Sequence, residues 1–282
     1  MTSAEATTVT SRADATTVTR GYAPVNGLEM YYETEGTGDP VVFIPPAFGF
    51  AGMKSFPSLA KNHLVITADL QGHGRTADIS DRPLSIEQYA EDVVALLAYL
   101  GISRADLFGE SYGGNAAAMI ALRYPQIVRR VVTFSATFAP PEFAHNPDMV
   151  RFDEPPTPSS NDIQYQRDSY KKVAADPDYW PKLWEKVIAV RWQGFSRAEL
   201  GSIEAPMLIM VGDRDFVRVD HAVETFRAIP GAELAVIPDA GHFALHSEPE
   251  RVIPIVQHFL EKPAERCPVA HAGLGYHPGE TR

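Results

Sequence analysis

Ser111 stands in Gly109-Glu110-Ser111-Tyr112-Gly113, between an apolar run, Asp106-Leu107-Phe108, and a helix-forming stretch that Pro125 stops. A serine between glycines on a strand-to-helix turn is held in a strained backbone conformation that lifts its hydroxyl from the sheet edge. The start of the following helix favours negative charge developing beside that hydroxyl. A serine hydroxyl is a weak nucleophile without a positioned base. Of the nine histidines, His242 in Ala240-Gly241-His242-Phe243 suits that role best, because it follows a strand on a loop that returns to the sheet edge. His63 opens a strand, His221 begins a helix, His258 lies on the last helix, and His73 in Gly72-His73-Gly74 is expected to be structural. His242 and His246 have i,i+4 spacing, but no third ligand accompanies them and no metal site is expected. The base needs an orienting carboxylate. Asp213 and Asp215, in Gly212-Asp213-Arg214-Asp215 after another apolar run, both fall at the same edge, and their spacing alone does not choose between them.

The elements that would position these groups alternate. Asn26-Gly27 is a hairpin signal between Tyr22–Pro24 and Leu28–Thr34. Val41–Ile44, Leu64–Thr67, Asp106–Phe108, Val128–Phe134, Pro206–Val211 and Glu233–Ile237 read as strands. Ser85 with Gln88 forms a capping box for a helix that buries Ile86, Tyr89, Ala90, Val93, Val94, Leu97 and Leu100 and ends at Gly101. Further helices are expected over 113–124, 221–228 and 249–260. The rhythm breaks over 139–196, where a proline-rich stretch is followed by two helices near 163–174 and 179–190. The expected fold is α/β: a mostly parallel eight-stranded sheet with helices on both faces and a helical cap insertion. The core is assigned to 21–138 and 197–262 and the cap to 139–196. Disordered extensions are expected at 1–20, where ATTVT occurs twice, and at 263–282, a tail holding Cys267, His271 and His277.

Composition narrows the function. The 282 residues are 45% hydrophobic and 22% charged, as in an ordinary globular chain. A net charge of −11 disfavours nucleic acid as a partner. One cysteine excludes an internal disulfide. No apolar run is long enough to span a bilayer, and the first 20 residues lack the apolar core of a secretory signal. A cytoplasmic location is therefore expected, with no membrane partner and a monomer or homodimer as the working form.

These motifs, together with Asp69-Leu70-Gln71-Gly72-His73-Gly74-Arg75-Thr76, make residues 20–262 resemble the α/β-hydrolase fold superfamily, including its order of Ser, then Asp, then His. The resemblance implies a catalytic triad of Ser111, Asp215 and His242 and no cofactor or metal. It also implies an oxyanion hole from the backbone N–H groups of Ala47 and Tyr112. The chain departs from the usual His-Gly after the third core strand by carrying Pro45-Pro46-Ala47-Phe48-Gly49, and proline has no N–H to donate. Phe48, Phe138, Trp180, Trp184 and Phe243 are the expected substrate-binding residues. The expected activity is serine hydrolysis of a small, fairly apolar carboxylic ester or lactone through an acyl-enzyme. The alternatives are C–C bond hydrolysis, perhydrolysis, amide cleavage or a lyase reaction on the same triad, or a non-catalytic small-molecule receptor.

Overall fold

The computed structural model describes residues 7–10, 17–53, 56–150, 157–160 and 163–262. Asn26 and Gly27, with φ of 48° and 84°, form the tight turn expected of that dipeptide. They join strands β2 (Thr17–Val25) and β3 (Leu28–Glu35). A short strand β1 (Thr7–Thr10) pairs with β2, and the second ATTVT copy lies largely in that partner strand: Val9 is opposite Val18. The expectation of disorder over 1–20 is thus corrected for 7–10 and 17–20, where β-branched residues suit an edge pairing. The tail 263–282, with Cys267, His271 and His277, lies outside the described residues.

The remaining strands are β4 (Asp39–Ile44), β5 (His63–Ala68), β6 (Ala105–Glu110), β7 (Val128–Phe134), β8 (Met207–Gly212) and β9 (Glu233–Ile237). Among the described residues they form one sheet in the order β1-β2-β3-β5-β4-β6-β7-β8-β9. The first four in this order pair antiparallel, and from β5 to β9 every pairing is parallel. The eight strands β2–β9 are the expected mostly parallel sheet, with β1 added at its edge.

Helices α1 (Pro57–Ala60), α2 (Ile86–Tyr99) and α3 (Tyr112–Arg123) follow β4, β5 and β6. Ser85 caps α2 by accepting the Gln88 N–H at 3.0 Å, but the Gln88 side chain donates to Asp92 instead of closing the box. Between β7 and β8 lie α4 (Pro141–Ala144), α5 (Gln164–Val173), α6 (Trp180–Ile188) and α7 (Arg197–Ser202). Helix α8 (Val219–Ala228) lies between β8 and β9, and α9 (Ala244–Ser247) and α10 (Pro249–Leu260) follow β9.

Successive residues of each central strand enter different apolar clusters. Val42, Ile44, Leu107, Val131 and Ile209 pack with α2, α3 and residues of the 139–196 insertion. Val41, Phe43, Phe108, Val132, Leu208 and Met210 pack with α1 and α10. Burial on both faces is why these strands read as unbroken apolar runs. It also leaves the strand ends as the place where polar side chains can gather.

Candidate functional site

Five loops, at the C-terminal ends of β4, β6, β7, β8 and β9, meet beneath the 139–196 insertion. Ser111 follows β6 with φ 51° and ψ −119° and stands at the N-cap position of α3. A non-glycine residue in this region costs about 1–3 kcal/mol and persists only where its surroundings enforce it. The flanking glycines provide that enforcement. A Cβ on Gly113 would collide with the Ile44 and Pro45 carbonyls, and one on Gly109 with the Gly113 carbonyl. The Ser111 N–H is tied to the Phe134 carbonyl at 2.9 Å.

The acid and the histidine are joined by a hydrogen bond. His242 Nδ1–H donates to Asp215 Oδ1 at 2.9 Å, which leaves Nε2 free to accept a proton. Asp215 also accepts the Val217 N–H at 2.9 Å and the Ser135 hydroxyl. Burial alone would raise the Asp215 carboxyl. The hydrogen bonds from His242 and Ser135, with the charge of His242, outweigh burial and hold it below its usual value. Phe216 lies flat on the His242 ring, with centroids 3.9 Å apart. Asp213 is different: it reaches the Ala240 N–H at 3.4 Å, and its side chain is 37% exposed.

The Pro45–Gly49 loop forms a turn closed by Gly49 N–H to the Pro46 carbonyl at 2.9 Å. Phe48 holds its left-handed position at φ 65°. Its ring stacks on Trp184 at 5.1 Å and 10° and tilts against Trp180 at 5.0 Å, so α6 clamps the turn. The turn sets Ala47 at the cavity wall. Tyr112, the first residue of α3, has a backbone N–H with no acceptor inside its helix.

These groups enclose a cavity of about 300 Å³ that includes Ala47, Phe48, Ser111, Tyr112, His242 and Phe243 in its lining. Trp184 and Trp192 come from the insertion, with Phe216 opposite. Two expected lining residues are not there. Trp180 is buried, donates its indole N–H to the Pro158 carbonyl at 2.9 Å and packs on Tyr170. Phe138 is buried against Phe195 and His221. Trp180 and Trp184 share one helix face, so their spacing gave no means of separating them. Trp192 and Phe216 were missed as lining, because their placement depends on how the insertion folds back.

The insertion also supplies His145, which bridges antiparallel to Val217 and packs edge-on against Phe216. Burial pushes the His145 ring down to about 4, so it is neutral at physiological pH. No Lys, Arg, Asp or Glu is among the described residues that line the cavity. A second chamber of about 470 Å³, walled by Met53, Tyr165, Gln166, Phe243, His246 and Ser247, shares Gln166 and Phe243 with it. No group of three His, Cys, Asp or Glu among the described residues is arranged to hold a metal ion. No helix among the described residues is long and apolar enough to cross a membrane.

Comparison with known proteins agrees with this architecture. A family model described as "Alpha/beta hydrolase family" matches residues 41–255. The chain is 25% identical over 248 residues to the serine hydrolase BPHL of Homo sapiens, covering 82% of each protein. It is 25% identical to the 2-hydroxy-6-oxo-2,4-heptadienoate hydrolase of Pseudomonas putida, across 83% of this chain and 93% of that one. The crystal structure of an enol-lactonase from Burkholderia xenovorans LB400 shares the fold, with a TM-score of 0.67 at 23% identity over 86% of this chain and all of the other.

Proposed function

The chain belongs to the alpha/beta hydrolase family and is a hydrolase, and from that membership we propose that it cleaves a neutral, fairly apolar carboxylic ester or lactone through an acyl-serine. The observation that carries this reading is the cavity itself. Ser111 and the His242–Asp215 pair meet in a space of about 300 Å³ whose walls are mainly aromatic and aliphatic, with no charged lining side chain among the described residues. A substrate with a carboxylate would find no Lys or Arg there to offset its desolvation.

In the proposed mechanism Ser111 Oγ attacks the carbonyl while His242 Nε2 takes its proton. Asp215 fixes the tautomer through the 2.9 Å bond and stabilises the imidazolium that forms. The N–H groups of Ala47 and Tyr112 receive the oxyanion. His242 returns the proton to the leaving alkoxide, and the free alcohol departs. Water, deprotonated by the same imidazole, then attacks the acyl-serine; its proton returns to Ser111 as the acid leaves. The relative named for 2-hydroxy-6-oxo-2,4-heptadienoate gives C–C bond hydrolysis as the second reading. That compound is itself a carboxylate, and the uncharged lining favours the neutral ester over it.

The test is a panel of p-nitrophenyl esters, γ- and δ-lactones, aryl amides and a vinylogous diketone acid, assayed with wild type and Ser111→Ala. Wild type should turn over neutral esters or lactones and be labelled by a fluorophosphonate. Ser111→Ala should lose at least about 10⁴-fold in kcat and all labelling. Turnover confined to the diketone acid would replace this reading with C–C hydrolysis. Full activity in Ser111→Ala would remove it.

A further inference from the structure

The nucleophile has a second histidine beside it that the proposed mechanism does not use. Glu110, the last residue of β6 and the neighbour of Ser111, is fully buried. His246 Nε2–H donates to its Oε2 at 2.6 Å. His246 sits on α9, four residues beyond His242, and its side chain is 8% exposed. The pair lies on the sheet face that carries Phe108, where Ala244 and Leu245 are also buried. Among the described residues, Glu110 Oε1 and His246 Nδ1 have no hydrogen-bond partner.

Stability does not account for such a pair. A buried acid–imidazole contact with one unsatisfied atom on each partner loses hydration that an apolar pair of the same volume would not need. Its place in the topology does account for it. Sheet order separates β6 from β9 by β7 and β8, so no strand pairing joins the Ser111 turn to the His242 loop. On the far side, Asp215 ties His242 to the end of β8, Ser135 ties Asp215 to the end of β7, and the Ser111 N–H binds the Phe134 carbonyl. The Glu110–His246 contact adds a direct link from β6 to the histidine loop and closes the ring of hydrogen bonds.

We propose that Glu110 and His246 are positioning residues that set the separation of Ser111 Oγ and His242 Nε2. This rests on the serine-hydrolase reading above. No proton or bond changes hands at this pair. It acts by holding two loops whose misplacement by about 1 Å costs on the order of 100-fold in rate.

The experiment follows Ser111 labelling by a fluorophosphonate and steady-state ester hydrolysis in wild type, His246→Ala, His246→Gln, His246→Asn and Glu110→Ala/His246→Ala. A positioning role gives His246→Ala an equal fall in labelling rate and kcat, about 10- to 100-fold, with KM within about threefold. His246→Gln should recover to within about fivefold of wild type, because its amide N–H still reaches Glu110. The shorter His246→Asn should not recover. The double variant should be no slower than His246→Ala, as expected of one coupled unit. A folded His246→Ala labelled at the wild-type rate, or a defect confined to KM, overturns the proposal. Should His246→Ala fail to fold, equal rates for the Gln and Asn variants overturn it. Wild type that hydrolyses no ester and takes no label would fail the serine-hydrolase reading instead, a result distinct from all of these.

Discussion

Replacing Asp215 by asparagine isolates what its charge contributes, and the surroundings dictate how the amide must sit. Oδ1 accepts from both His242 and the Val217 N–H at 2.9 Å, and Oδ2 accepts from Ser135. An amide NH2 turned toward the first pair would face a backbone donor. Turned the other way, it faces a serine hydroxyl, which can rotate to accept. The substituted amide should therefore keep its oxygen on His242, and the imidazole should keep its tautomer. What disappears is the attraction between carboxylate and developing imidazolium, about 4 kcal/mol for unit charges near 4 Å at an effective dielectric of 20. Part of that survives as a neutral hydrogen bond of about 1 kcal/mol. The expected loss in kcat is thus about 10²- to 10³-fold, smaller than the roughly 10⁴-fold that follows when an amide imposes the wrong tautomer. Steady-state hydrolysis of a p-nitrophenyl ester by wild type, Asp215→Asn and Asp213→Asn measures it. Asp213 holds only long contacts, the Ala240 N–H at 3.4 Å and Arg214 Nε at 3.9 Å, so its variant should stay within about twofold. An Asp215→Asn enzyme within fivefold of wild type, or an Asp213→Asn enzyme that is dead, would refute the assignment.

Three further outcomes follow from the packing. His221 is buried on α8, accepts the Phe138 N–H at 2.9 Å and is pushed down to about 4 by burial. Its stabilising contribution is complete above pH 6.5 and falls as the unfolded chain takes up protons; at pH 5 up to about 2 kcal/mol is lost. His221→Gln should flatten the urea-measured stability difference between pH 7.5 and 5.0 by up to that amount, and an unchanged slope would count against the burial argument. Gly113→Ala places a methyl against the Ile44 and Pro45 carbonyls, so labelling of Ser111 should vanish even in molecules that circular dichroism shows to be folded. Trp184→Ala removes both a cavity wall and the Phe48 stack, so kcat/KM should fall for short and long esters alike, whereas Trp192→Ala should change chain-length preference more than the rate with acetate esters.

What the sequence made legible was local. The Asn26-Gly27 turn, the Ser85 cap, the glycines around Ser111 and the acid and histidine loops each follow from a few neighbouring residues. What it hid depends on contacts between distant segments. Glu110 and His246 are 136 positions apart, and neither motif names the other. Ser135 reaches Asp215 across 80 positions. Trp180 and Trp184 are equivalent by helical spacing, and only the placement of Pro158 and Tyr170 sends one inward and leaves the other on the cavity. The paired ATTVT copies were hidden for another reason: polar, β-branched edge strands carry no apolar signal to separate them from an unstructured leader.

The departure at Pro45-Pro46 acquires a physical meaning once the strained residues are placed together. Phe48, Ser111 and Ser135, with φ of 65°, 51° and 56°, follow β4, β6 and β7, which are adjacent in the sheet. Each conformation costs on the order of 1–3 kcal/mol and requires enforcement from outside its own loop. Close glycine packing enforces Ser111, and the Asp215 carboxylate engages Ser135. Phe48 has neither. Its ring is held by Trp184 and Trp180, so the turn that presents the Ala47 N–H depends on α6 being docked. Lys186 and Tyr179 fasten that helix to Asp78 at 2.6 and 2.5 Å, and Asp78 is tied in turn to Gln71 at 2.8 Å. The insertion is therefore more than a wall over the cavity. A chain of contacts runs from the loop after β5 through α6 to the backbone that would receive the oxyanion, and loosening the Asp78 anchor should reach the chemistry through Phe48.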